Sequence, residues 1–172
     1  MYTFCYLNRR EDLYEQNAEA VYDKLKEIKT LVASQSHPTG LLIRAFSTGA
    51  KAKGADNQTG VIIEDLGVDN IVARHDSLLE DLSIEEIITE DPDYIFITTM
   101  GEEQAAIDAL ETSIMANPAW AGLTAVQQDR CYVLPKDLFH YKPNARWAES
   151  YAYMAKILYP DLTEEIDEIM AS

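Results

Sequence analysis

Cysteine is nearly absent. Cys5 and Cys131 are the only two in 172 residues, and neither has CxxC spacing, so the sequence suggests neither a zinc site nor a disulfide framework. Two idle or buried thiols are the simpler reading, with their pairing left open. Long apolar runs are missing too, since no stretch approaches the roughly 20 residues that a membrane-spanning helix requires. Met1-Tyr2-Thr3-Phe4 has neither the basic start nor the long apolar centre of a signal peptide, and too few residues precede Cys5 for a lipoprotein cysteine. No export signal is therefore expected within this stretch. Positive charge is scarce: 14 Lys and Arg stand against 30 Asp and Glu, a formal net charge of −16. Such a balance disfavours nucleic acid and anionic membrane surfaces as partners, because phosphates are repelled.

The common catalytic signatures are lacking as well. Gly49 and Gly54 have G-x-x-x-x-G spacing after a predicted strand, but Ala55-Asp56 stands where a phosphate loop needs Lys-Ser/Thr. There is no GxGxxG and no GxSxG elbow. His37, His75 and His140 are scattered, with no HxxH or HExxH, so no dedicated metal cage is expected. Asn57-Gln58-Thr59 fits a glycosylation sequon, which a turn explains equally well.

What the chain does have is a patterned core. Its hydrophobic share of 47%, with 26% charged, suits a globular protein of one domain. Glu11 to Val32 carries Tyr14, Ala18, Val21, Leu25, Ile28 and Val32 on one stripe, which predicts a long amphipathic helix. Strands are predicted over Leu41–Phe46, Asn70–Val72, Tyr94–Thr98 and Cys131–Leu134, separated by helical stretches near 61–66, 84–89, 102–115 and 144–158. Ser83 with Glu86 reads as a capping box. Residues 47–60 read as a loop too long for a simple connection, and the acidic helix near 162–170 as solvated. Strand and helix alternating in this way predict an α/β fold: a three-layer parallel sheet with helices on both faces, preceded by a long N-terminal helix. Residues 1–33 hold that helix and 34–172 the α/β lobe, with Trp147, Tyr151 and Met154 packed on the sheet.

The scarce cations are not spread evenly. Between Thr39 and Ala55 there is no acid, yet Arg44, Lys51 and Lys53 lie there; Lys136, His140, Lys142 and Arg146 follow the last strand against a single Asp137. Both segments follow strands and should emerge at the carboxyl edge, where open α/β sheets bind ligands. In a protein this acidic, two cationic loops at one edge point to an anionic small ligand. The candidate contacts are Arg44, Ser47, Lys51, Lys53, His140, Tyr141 and Lys142, with Phe139 and Tyr141 placed to pack on an apolar ligand body.

The ordered set Ser83-x-Glu85, Pro92-Asp93-x-Ile95, Asn117-Pro118-x-Trp120, Ala125-Val126, Tyr132-Val133-Leu134-Pro135, the Lys142–Arg146 loop and Leu158-Tyr159-Pro160 resembles the C-terminal lobe of helical-backbone periplasmic binding proteins. These serve ABC importers that carry iron–siderophore, haem and cobalamin cargo. The resemblance spans residues 11 to 162. It implies an extracytoplasmic, non-catalytic receptor, periplasmic or a cell-surface lipoprotein when whole, with no cofactor of its own. Glu11 to Val32 would be the helix joining two lobes, the N-terminal lobe lying outside this sequence, so that the chain holds half a cleft. The metal chelate is one implied partner. The ABC permease is the other, docking on Glu85 with Glu86 the close rival; first-turn acids also simply favour a helix dipole. Two other classes stay open: a small α/β enzyme acting on an anionic phosphoester or nucleotide, and an interaction module whose lobe interface binds protein.

Overall fold

Two apolar runs that do not alternate take the middle of the sheet, where both faces are covered. In the computed structural model, which describes residues 1–75, 77–80, 82–141 and 144–172, these are β1 (Thr39–Phe46) and β4 (Tyr94–Thr99), the latter buried along its whole length. β2 (Gly49–Ala52), β3 (Asp69–Asn70) and β5 (Cys131–Val133) complete a five-stranded sheet in the order β2-β1-β4-β5, with β3 on β1. The strands near those expected from the sequence are all parallel, β1 with β3 and β4, and β4 with β5. The strand expected at Asn70–Val72 is only Asp69–Asn70, because Ile71–Ala73 turns into a 3-10 helix capped by the Asn70 side chain. The segment expected to be only a loop is different. Its Gly49–Ala52 stretch turns back on β1 as an antiparallel hairpin strand, placing Lys51 opposite Arg44. β3 takes the start of the same edge of β1, so that edge is shared by two short strands.

Helices cover both faces. In chain order they are α1 (Tyr2–Leu7), α2 (Glu11–Tyr14), α3 (Ala20–Val32), α4 (Gln58–Asp65), α5 (Ser77–Glu80), α6 (Ile84–Glu90), α7 (Glu103–Thr112), α8 (Thr124–Gln127), α9 (Lys136–Phe139), α10 (Trp147–Leu158) and α11 (Thr163–Ala171). Leu42, Tyr94 and Phe96 pack against Ile28 and Val32 of α3, Ile62 and Ile63 of α4, and Tyr151 and Met154 of α10. Leu41, Ile43, Ala45, Ile95 and Ile97 point to the other face, against Leu78, Ile87, Ala106, Leu110 and Ala125. Odd and even residues thus separate into two cores, as the two-residue period of a strand demands. Trp147 is half-buried, its indole N–H enclosed and without a partner.

Two helices depart from expectation. The long helix is not uniform, because a π turn at Glu15–Glu19 lies between α2 and α3. The last helix is not simply solvated. Its Ile166 is completely buried, Ile169 and Met170 pack beside it, and Lys24 Nζ donates to the Met170 carbonyl over 2.8 Å. The density of acids in Thr163–Ala171 hides an apolar stripe at helical spacing. Both cysteines are free, and burial pushes the Cys131 thiol up to about 11. Among the described residues, no helix is long and apolar enough to cross a membrane.

Candidate functional site at the carboxyl edge of the sheet

Alternation along β1 puts Arg44 on the same face as Leu42, beside Thr98 of β4 and across from Lys51 of the hairpin. Arg44 is half-exposed, and its Nε is enclosed with no hydrogen-bond partner among the described residues. Lys51 is exposed, as is Ser47 in the turn of the hairpin. Lys53 is differently placed. Its ammonium donates to Asp56 over 3.1 Å, and the Gly54 N–H donates to the same carboxylate over 3.2 Å. Burial alone would raise the Asp56 carboxyl, but the Lys53 bond and charge outweigh it and hold the group below its usual range.

The other half of the site follows β5. Pro135 opens the short helix α9, fastened at both ends. Lys136 Nζ donates to the Gly101 carbonyl, Ser150 Oγ donates to Leu138 over 2.9 Å, and Thr59 Oγ1 donates to Phe139 over 3.3 Å. This anchoring turns Phe139 inward, where its ring is 6% exposed and meets Tyr153 edge-on at 5.7 Å. Phe139 is therefore core, and the expectation that it packs on a ligand is corrected: the apolar side chain of a short buried helix found a protein partner first. Tyr141 is 66% exposed and free to take that role, with its ring edge-to-face on His140 at 5.0 Å. His140 is held below its ordinary protonation range by burial, and then by the positive charges of Lys136 and Arg44. Lys142 lies outside the described residues. Arg146 is taken up by Glu149 at 2.7 Å and Asp137 at 3.1 Å, which neutralises it.

The fold thus brings Arg44, Lys136 and His140 into one electrostatic neighbourhood, with Tyr141 beside it. It leaves Lys51 and Ser47 on the hairpin and pairs off Lys53. Asn57 is a residue that sequence reasoning missed. Its Oδ1 accepts from the Thr59 N–H over 2.8 Å, which makes it the N-cap of α4, and its side chain is buried. An Asn immediately before Gln58-Thr-Gly-Val-Ile-Ile is a helix-start signal that the sequon reading concealed. Gly60 allows the first turn of α4 to press on the hairpin's exit, because a Cβ there would come within 2.0 Å of the Gly54 carbonyl oxygen.

Elsewhere, two groups of polar side chains are engaged with one another. A groove of about 400 Å³ between α3, α4 and α10 is lined by Tyr22, Leu25, Lys29 and Ala33, but its Asp65 already accepts from Lys29 at 2.7 Å and Tyr151 at 2.6 Å. On α6, Glu86 accepts from Ser77 Oγ at 2.8 and 2.9 Å while its own N–H donates to Ser83 Oγ; Glu85 is exposed. The expected box is thus half-formed. Among the described residues, no three His, Cys, Asp or Glu side chains gather to hold a metal ion.

The sequence pattern of a family described as periplasmic binding protein matches residues 7–138. A periplasmic binding protein from Veillonella parvula DSM 2008 superposes with a TM-score of 0.70 at 23% identity, covering 92% of this chain and 48% of that one. S. aureus IsdE complexed with heme gives a TM-score of 0.77 at 15% identity, covering 92% and 62%. The iron-uptake system-binding protein FeuA from Bacillus subtilis gives 0.61 at 23%, covering 92% and 56%. The chain therefore spans about half to three-fifths of these structures. A search of curated proteins returned no match.

Proposed function

The chain belongs to the periplasmic binding protein family, and on that premise we propose that it is the C-terminal lobe of an extracytoplasmic receptor. The receptor delivers an iron complex, a ferric siderophore, haem or a related corrinoid, to an ABC permease. In this reading residues 1–33 hold the helix between lobes, which starts at Glu11 after the separate α1, and 34–172 are the ligand lobe, a second lobe closing over the carboxyl edge. The observation that carries it is Arg44, half-buried with its Nε enclosed and without a partner among the described residues, in one electrostatic neighbourhood with Lys136 and His140 at that edge of a protein of net charge −16. Anionic oxygens of a chelate would meet these groups, and those of Lys51 and Lys142, while Tyr141 covers an apolar part of the ligand. Glu85 is the better candidate for the permease, because the Glu86 carboxylate is already engaged by Ser77. Charge reversal at Glu85 in the two-lobed receptor should cut uptake and spare ligand affinity.

Half a cleft leaves its ligand half in water, where charge pairs are weak. Mixing the protein with haem, cobalamin and a ferric tris-catecholate, followed by visible absorbance, tests the reading. Binding on the order of micromolar is expected for an anionic chelate, near −8 kcal/mol, and it should weaken as salt screens the contacts. No binding at low salt overturns the assignment. Tight, salt-insensitive binding would mean that these residues hold a complete pocket.

A further inference from the structure

One face of α3 looks out over a groove of about 400 Å³ instead of into the core. Tyr22, Leu25, Lys26, Lys29, Thr30 and Ala33 line it at i, i+3, i+4, i+7, i+8 and i+11, so the groove follows the helix for about 16 Å. Asp65 and Tyr151 of α10 form the facing wall. Asp65 ends α4, whose first turn lies at the carboxyl edge, so the groove sits at the other end of that helix. Most of its polar groups are already engaged. Asp65 accepts from Lys29 Nζ at 2.7 Å on one oxygen and from the Tyr151 hydroxyl at 2.6 Å on the other, and Thr30 Oγ1 donates to the Lys26 carbonyl over 2.8 Å. Burial, and then the bond to Asp65, push the Tyr151 phenol up, which keeps it a donor. The rest of the lining is apolar: Leu25, the Ala33 methyl, the rings of Tyr22 and Tyr151, and the stem of Lys29, whose ammonium is held by its carboxylate. Lys26 stands on the ridge between this groove and a second one that carries Asp23 and Glu27; it is exposed, and no acid is paired to it among the described residues. The volume is in the range of small-ligand sites. A long apolar trough with an unanswered cation on its rim suits a ligand of the same form, an apolar chain with one negative end.

We propose that this groove is a second binding site, apart from the carboxyl edge, for a single-chain carboxylate of the fatty-acid class. The chain lies along α3 against Leu25, Tyr151 and Ala33, and its carboxylate meets Lys26. A bilayer surface is the poorer source of such a chain, since a protein of net charge −16 is repelled by anionic lipid. The site stands whatever the carboxyl edge binds. A bound chain ties α3 to α4 and α10, and in the receptor reading α3 belongs to the helix between the lobes.

The test is calorimetric titration of the whole chain with sodium decanoate, at low salt and below the concentration at which it forms micelles. Decyltrimethylammonium serves as the same chain with the opposite charge. The variants are Ala33→Trp and Lys26→Gln, both at exposed positions. Circular dichroism melting checks that each folds, and Ala33→Leu takes the place of the tryptophan variant if that one does not. Ala33→Trp puts an indole into the groove and should weaken decanoate binding at least about tenfold. Lys26→Gln should weaken it about two- to fivefold, the range of an exposed ion pair, and high salt should shrink that difference. Decyltrimethylammonium should bind the wild type more weakly than decanoate does, and Lys26→Gln should not weaken it further. Decanoate bound equally by the wild type and the Ala33 variant overturns the site, the exposed apolar face of α1 with Phe4 and Leu7 being the rival seat. Equal affinity of the wild type for the two chains overturns the anionic class and the proposal with it. A wild type that binds neither chain also overturns it. None of these outcomes bears on the ferric complex, which is titrated separately.

Discussion

At the amino-terminal edge of the sheet, Asp93 accepts from both the N–H and the hydroxyl of Thr39 at 2.9 Å, and Asp91 accepts from the N–H and hydroxyl of Thr124 at 2.7 Å. Beside them Arg74 bridges Asp69 and Glu90, each at 2.7 Å, and His75 Nε2 meets the other oxygen of Glu90 at 2.6 Å. The carboxyl edge uses the same residue types but closes only part of them, Lys53 on Asp56 and Arg146 on Glu149 and Asp137. Arg44 Nε and Asn57 Nδ2 are enclosed and without a partner among the described residues, and the charges that act on His140 are those of Lys136 and Arg44. A fold gains stability by closing its polar groups on one another, and forgoes some where a ligand must be met. The difference between the edges therefore locates function better than the exposure of either.

The largest expected effect lies on the closed edge. Asp93→Ala removes the acceptor of two Thr39 donors and should lower unfolding stability by about 2–3 kcal/mol, the range for hydrogen bonds to a charged group. Urea titration reads this directly, and ligand affinity should not change. Arg44→Gln is the complementary experiment on the open edge. It should weaken binding of a ferric catecholate by about tenfold or more while leaving urea stability unchanged or slightly raised, since a half-buried unpaired cation is lost. If Arg44→Gln instead destabilised as strongly as Asp93→Ala, the contrast between the edges would be broken.

The pH response should separate the two edges as well. His140 is depressed, so its neutral form belongs to the fold: its contribution is complete above the ordinary value of 6.5 and is lost as pH falls through the lower folded value. Anion binding runs the other way over the same window, because the protonated ring adds a positive charge. Glu90 is depressed by its bond to His75 and then by the Arg74 charge, against the pull of burial. Its contribution is present above the ordinary 4.5 and is lost only as pH falls through its lower folded value. Urea titrations across pH should show two separated losses, the higher absent from His140→Gln and the lower absent from Glu90→Gln. The smallest effect is expected on α6, where Glu85→Gln should change stability by no more than about 0.5 kcal/mol; Glu86→Gln, which loses its charged contact to Ser77, should cost measurably more.

Much of this was legible in the sequence. The apolar runs at 41–46 and 94–98 had to be buried on both faces, and the alternation with helices made the sheet parallel. Arg44, His140 and Tyr141 stand at the edge where strand order placed them. The hairpin strand was not legible, because Gly49-Ala-Lys-Ala has no β-branched or aromatic residue; it pairs because β1 offers an open edge, a tertiary cause that propensity does not contain. The pairing of Lys53 with Asp56 fell just beyond the acid-free stretch that drew attention to that lysine. Phe139 was misread because loop position suggested exposure, whereas Thr59 and Ser150 pull its short helix down onto the core. Asn57 was hidden by a motif that fitted its letters but not its role.

The most direct measurement is amide hydrogen exchange of the chain with and without a saturating ferric catecholate, whose occupancy is read from its visible band. Added protection should fall on residues 44–60 and 136–141 and leave 69–75 and 90–94 as they were. Protection centred on the amino-terminal edge, or on the groove between α3 and α10, would contradict the account, as would unchanged exchange at 44–60 and 136–141 with the ligand bound.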